Sequence, residues 1–127
     1  MSDSVVVDTS VFIEYLRGDS DNTLAILILG NRVLLSPVVR LELLVGVRKA
    51  ELKTVERLCN ALRPIESFAS PSECESLLTR ARGSGLFGGI PDLLIIADAL
   101  RHRAFLFSND EKMKVLGKKL GTKIIQS

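Results

Sequence analysis

Short apolar runs recur along this chain between segments of helical spacing, and that alternation narrows the fold more than any other feature. VVV at 5–7, RVLLS at 32–36, AFLFS at 104–108 and TKIIQ at 122–126 read as strands, with RPIES at 63–67 as a weaker one. Between them lie helix patterns. TSVFIEYLRG places Phe12, Ile13 and Leu16 on one side and ends on Gly18, and a second helix is expected over Thr23–Leu29. Pro37 suits the first turn of a helix running to about Val45, and a long polar-faced helix is expected from Val47 to Leu62. SPSECESLLTRAR carries a capping pattern in Ser70, Pro71 and Glu73. GSGLFGG interrupts it, IPDLLIIADALRHR starts the next helix, and NDEKMKVLGKKLG supplies the last. Short strands separated by helices pair in parallel, because each return needs a crossover. The expected fold is a three-layer α/β/α sandwich around a central, mainly parallel sheet.

The 127 residues suit one domain, 1–127, with 46% hydrophobic and 25% charged residues, which excludes a disordered chain. A net charge of +2 permits an acidic partner without demanding one. Cys59 and Cys74 have neither zinc-ligand nor disulfide-framework spacing, which points to a reducing, cytoplasmic compartment. MSDSVVVD has an acid where an export signal has basic residues, and NTLAILILGN is about half of the roughly 20 residues of a membrane span.

Four acids fall just after points where the chain can emerge at one sheet edge: Asp8 after VVV, Glu42 after LLSP, Asp92 after GGIP and Asp110 after FLFS. Ligands of open parallel sheets bind beyond the strands' C-terminal ends. Asp8, Asp92 and Asp110 also stand at helix starts, where an acid serves as an ordinary cap. Glu42 is different, since Val38, Val39, Leu41, Leu43, Leu44 and Val45 surround it and imply a buried helix. The alternative is a surface stripe through Arg40 and Glu42. Four converging carboxylates repel unless a cation lies among them, and an all-oxygen set suits Mg²⁺ or Mn²⁺ rather than zinc. His102, in a basic RHR turn, reads as a surface residue.

With VVVDTSVFIEYLRG, LLSPVVRLELLVGVR, GIPDLLIIADAL and FLFSND in that order, the whole chain resembles a PIN domain. Within that superfamily it is similar to the VapC-like toxin ribonucleases of VapBC-type toxin–antitoxin pairs. The resemblance implies Mg²⁺- or Mn²⁺-dependent hydrolysis of RNA phosphodiester bonds, with no covalent intermediate. It assigns Asp8, Glu42, Asp92 and Asp110 as catalytic residues and metal ligands, with Asp8 and Asp92 the principal ligands and Glu42 and Asp110 completing the pocket directly or through water. Ser10 and Ser108 match hydroxyl positions that support the first acid. A homodimer is implied, as is a cognate antitoxin whose segment fills the active-site groove. Asp98 departs from the family pattern. It lies six residues beyond Asp92, about 120° round the helix and roughly 9 Å along it, and is expected in solvent or paired with Arg101 or His102.

Arg101, Arg103, Lys112, Lys114, Lys118, Lys119 and Lys123 crowd the C-terminal third, as a guide for an RNA backbone or as a solvated face. One tyrosine and no tryptophan exclude a broad base-stacking platform. NTLAILILG is a candidate contact face or core. Two other readings keep the fold: a PIN-like module that binds without cleaving, and a phospho-acceptor signalling domain. The second wants adjacent acids after the first strand and a lysine directly after a late one, but Thr9 follows Asp8 and no lysine ends AFLFS.

Overall fold

Val5, Val6 and Val7 have no exposed surface at all, so the strand they form is covered on both faces. In the computed structural model, which describes residues 3–19 and 21–126, this strand is the centre of a five-stranded parallel sheet. The strands are β1 (Val5–Val7), β2 (Val33–Leu35), β3 (Arg63–Pro64), β4 (Phe105–Phe107) and β5 (Lys123–Ile124), in the order β3-β2-β1-β4-β5. Val6 pairs with Leu34 on one side and Leu106 on the other. Proline is accommodated in β3 because that strand lies at the sheet edge. The helices are α1 (Thr9–Arg17), α2 (Thr23–Leu29), α3 (Pro37–Gly46), α4 (Leu52–Ala61), α5 (Pro71–Ser84), α6 (Ile90–Arg101) and α7 (Glu111–Leu120). The architecture is the expected α/β/α sandwich.

Local chemistry explains the helix ends. Ser70 and Glu73 form the reciprocal capping box expected at the start of α5. Gly18, Gly85 and Gly121 stop α1, α5 and α7 in the left-handed conformation that glycine adopts without strain.

Three expectations are corrected. The helix expected over Val47–Leu62 starts later: Val47 and Arg48 are extended, a 3₁₀ turn follows at Lys49–Glu51, and α4 begins only at Leu52. Arg48 bonds Glu51 in this turn, stabilising the tight start locally. On α1 the buried pair is Val11 and Phe12, whereas Ile13 and Leu16 remain more than a third exposed. The apolar surroundings of Glu42 do not bury it either. Only Val39 and Leu43 of α3 are buried, and Leu41 and Val45 are 65% and 89% exposed. Glu42 is an exposed residue, as the surface-stripe alternative had it. On α2, Leu24 and Leu27 are core, while Ile26 and Leu29 face outward.

Chain direction decides where a pocket opens. From β1 the chain proceeds to β2 and β3 on one side, then returns through α5 and α6 to β4 on the other. The connections leaving β1 and β4 therefore diverge between these neighbours. A crevice at their C-terminal ends is the expected binding place in such a sheet.

Candidate active site

Asp8 follows β1 directly and is 7% exposed. Its backbone N–H donates to the carbonyl of Phe107, holding it beside the end of β4. Three donors occupy its carboxylate. The Thr9 N–H reaches Oδ1 at 2.9 Å, and the Ser10 and Ser108 hydroxyls reach Oδ2 at 2.9 and 2.8 Å. Asp8 is thus both the cap of α1 and the hub of the β1/β4 crevice. The two serines singled out by the resemblance both donate to this acid.

Ser108 and Ser10 also knit the late loop to the early one. Ser108 Oγ accepts from the Asp110 N–H at 3.0 Å, and Ser10 Oγ accepts from the Asn109 N–H at 3.1 Å. Asp110 caps α7, its Oδ1 taking the N–H groups of Lys112 and Met113. The capping reading of Asp8 and Asp110 is correct, and it does not exhaust either carboxylate. Glu42 reaches in from α3, where its Oε1 accepts the Thr9 hydroxyl at 2.7 Å. Thr9 and Asn109, which donates to Glu14 at 2.8 Å, were not singled out in the sequence. Thr9 is adjacent to Asp8, but its partner lies 33 positions away.

Asp92 stands in the first turn of α6, half-buried, with Gly89 rather than Asp92 at the cap position. No donor bonds its side chain among the described residues. Its carboxyl is pushed up to about 6, first by burial and then by the negative charges of Asp8, Asp110 and Glu42. One acid thus registers the field of the other three. No lysine or arginine among the described residues forms an ion pair with any of the four. Gly88 leaves the space beside them open, since a Cβ there would lie 3.0 Å from Asp92 Oδ2.

These acids share a field without closing into a cage. Among the described residues no three acidic, histidine or cysteine side chains form a ready-made metal site. That is compatible with a hard, well-hydrated ion. Mg²⁺ keeps several waters and takes only one or two carboxylates directly. Oxygen donors in mutual repulsion, with an undonated and partly desolvated carboxylate in their midst, fit such an ion chemically.

Asp98 is the residue the structure relocates. Instead of facing solvent or pairing with Arg101, it is 7% exposed and accepts the hydroxyl of fully buried Ser36 at 2.7 Å. Arg101 bonds Ser67 instead, and His102 Nε2 lies 2.8 Å from the Ser67 carbonyl. His102 contributes only a favourable charge at Asp98. The six-residue offset turned Asp98 away from the acids, as expected, but into the core.

A cleft of about 350 Å³ opens next to Glu42, between α1 and α3, with Ile13, Leu16, Leu43 and Val47 in its wall. Among the basic residues, Lys112 stands in the first turn of α7 beside Asp110, while Lys118 and Lys119 lie at the far end of that helix. They do not form one cluster at the pocket.

A comparison with curated protein sequences returns no match. Solved structures are similar in fold over nearly the whole length. VapBC from Salmonella typhimurium, bound to DNA, matches with a TM-score of 0.79 at 18% identity over 98% of each chain. VapBC2 from Rickettsia felis, bound to a DNA fragment from its promoter, matches at 0.76 and 23% identity over 96% of each. FitAcB from Neisseria gonorrhoeae matches at 0.71 and 20% over 96% of each. The PIN domain family model matches residues 5–119, which run from the start of β1 to within one residue of the end of α7 and take in every acid of the crevice. On that match the chain belongs to the PIN domain family.

Proposed function

We propose that the protein is a Mg²⁺- or Mn²⁺-dependent endoribonuclease, the VapC-like toxin of a toxin–antitoxin pair, acting in the cytoplasm. The observation that carries this reading is the shared field of Asp8, Glu42, Asp92 and Asp110, brought from four separate elements with no ion pair to a cationic side chain among the described residues. Asp8 and Asp92 would be the principal holders of the cation, with Glu42 and Asp110 completing the set directly or through water. When bound, the cation supplies Lewis-acid activation of water and neutralises charge on the phosphate.

The protein's own groups do the positioning. Ser10 and Ser108 hold Asp8 in one orientation, leaving it little freedom to rotate away. Thr9 ties one oxygen of Glu42, and the exposed setting of Glu42 and Asp110 lets either orient or deprotonate an attacking water. Lys112 can meet an incoming phosphate at the mouth of the crevice. The cleft beside Glu42, whose wall combines Ile13, Leu16 and Val47 with Arg17, Arg48 and Glu51, suits a segment of an antitoxin, in keeping with neighbours that are VapBC complexes. A homodimer belongs to the same reading.

Incubating the purified chain, free of any partner, with total RNA and Mg²⁺ tests the proposal. Cleavage should be abolished by a chelator and reduced at least a hundredfold in Asp8→Asn and Asp92→Asn. Asparagine caps helices about as well as aspartate, so Asp8→Asn should still fold. Asp92 caps nothing, and its amide replacement relieves like-charge repulsion, so Asp92→Asn should fold as well. Wild-type protein that cleaves no RNA class with either metal points to a non-cleaving module. Asp92→Asn that cuts at the wild-type rate refutes the site.

A further inference from the structure

Ser36 is the N-cap residue of α3, yet its hydroxyl makes no capping bond. It is fully buried and donates instead across the core to Asp98 of α6, 62 residues away, at 2.7 Å. A cap forgone weakens α3, and a carboxylate drawn into the core costs more still. Burial pushes the Asp98 carboxyl up, and the Ser36 hydroxyl opposes that shift. The fold alone does not demand either, since well-packed apolar residues of similar volume commonly replace a buried polar pair without loss of stability.

The places of these residues say what the bond does. α3 and α6 pack against each other, and each carries one acid of the crevice. Ser36 precedes Glu42 by six residues, and Asp98 follows Asp92 by six. Six residues advance a helix by about 9 Å. Ser36 meets Asp98 where the two helices pack, and farther along α3 Glu42 accepts the hydroxyl of Thr9, the residue next to Asp8. The buried hydrogen bond thus fastens to α6 the helix that carries Glu42 toward Asp8.

We propose that Asp98 is a positioning residue: through Ser36 it holds α3 against α6, and so keeps Glu42 within reach of the cation held by Asp8 and Asp92. The inference rests on the metal-site reading above. Its effect is on cation affinity, since neither Ser36 nor Asp98 touches the crevice. Asp98 is absent from the charges that act on Asp92.

The test is Mn²⁺ binding by titration calorimetry on the purified chain, with thermal unfolding and RNA cleavage at low and high Mn²⁺ alongside. Ser36→Ala and Asp98→Leu should each weaken Mn²⁺ binding roughly tenfold, within the range seen when outer partners of metal ligands are lost. Cleavage should fall at low Mn²⁺ and recover at high Mn²⁺. Asp98→Asn should bind Mn²⁺ within about twofold of wild type, because an amide oxygen still accepts from Ser36. The double variant Ser36→Ala/Asp98→Leu leaves no unpaired polar group and should fold even where a single variant does not. Near-wild-type stability with weakened Mn²⁺ binding in that double variant supports the proposal. Unchanged Mn²⁺ affinity there means the bond serves packing only and overturns it. Wild-type protein that binds no Mn²⁺ refutes the metal site itself, an outcome separate from the failure of this cross-link.

Discussion

Among the described residues Asp92 has no donor and feels three like charges, and that makes it the residue whose replacement is most informative. Its folded carboxyl titrates near 6 against an ordinary 3.8, so the native state binds the proton more tightly than the unfolded chain. Asp92 therefore costs no stability below about pH 4. The cost grows as pH rises through that interval and is fully present above about pH 6. Asp92→Asn should raise metal-free stability at pH 7.5 and leave it unchanged at pH 3.5. The full linkage value is about 3 kcal/mol, and half-exposure reduces the expected gain to about 1 kcal/mol. Denaturant unfolding at the two pH values checks this. A variant less stable at pH 7.5 would mean that Asp92 is bonded rather than strained. At this scale Asp8, Asp92 and Asp110 were legible in the sequence because each follows a strand or opens a helix, whereas Glu42 stood out only as a carboxylate within an apolar run of α3. Thr9 and Ser36 were not, because their partners Glu42 and Asp98 lie 33 and 62 positions away.

Among the elements, α7 shows how closely a helix is pressed to the sheet. A Cβ on Gly117 would lie 2.8 Å from Thr122 Oγ1 and 2.9 Å from Leu106 Cδ2, too close for either atom to stay in place. Helix propensity favours alanine over glycine by about 1 kcal/mol, yet overpacking costs about 1–3 kcal/mol. Gly117→Ala should therefore lower stability by about 1 kcal/mol, read by thermal unfolding. An unchanged or raised melting temperature would show that α7 can shift outward freely. α3 is the element whose sequence misled. A run of valines and leucines around Glu42 implied burial, but Leu41 and Val45 remain 65% and 89% exposed. Periodicity records which residues are apolar. It does not record whether this chain supplies the surface they would bury against.

For the molecule as a whole, binding of a cation to the native state alone adds stability by mass action. Mg²⁺ at a hundred times its dissociation constant should raise wild-type stability by about 2.7 kcal/mol. The same addition should do little for Asp8→Asn or Asp92→Asn, and a chelator should reverse the gain. Thermal scans with and without Mg²⁺ measure this, and equal shifts in all three proteins would place the ion elsewhere. The parallel sheet was readable from sequence because the runs VVV, RVLLS and AFLFS are too short and too far apart to pair any other way. Asp8, Asp92 and Asp110 were readable because strand ends and helix starts are local events. Only the tertiary structure decided that Glu42 is exposed rather than buried, that Asp98 turns inward to Ser36, and that one carboxyl feels three others. Those outcomes depend on distances between residues far apart in the chain, and such distances are set by packing, which no local pattern encodes.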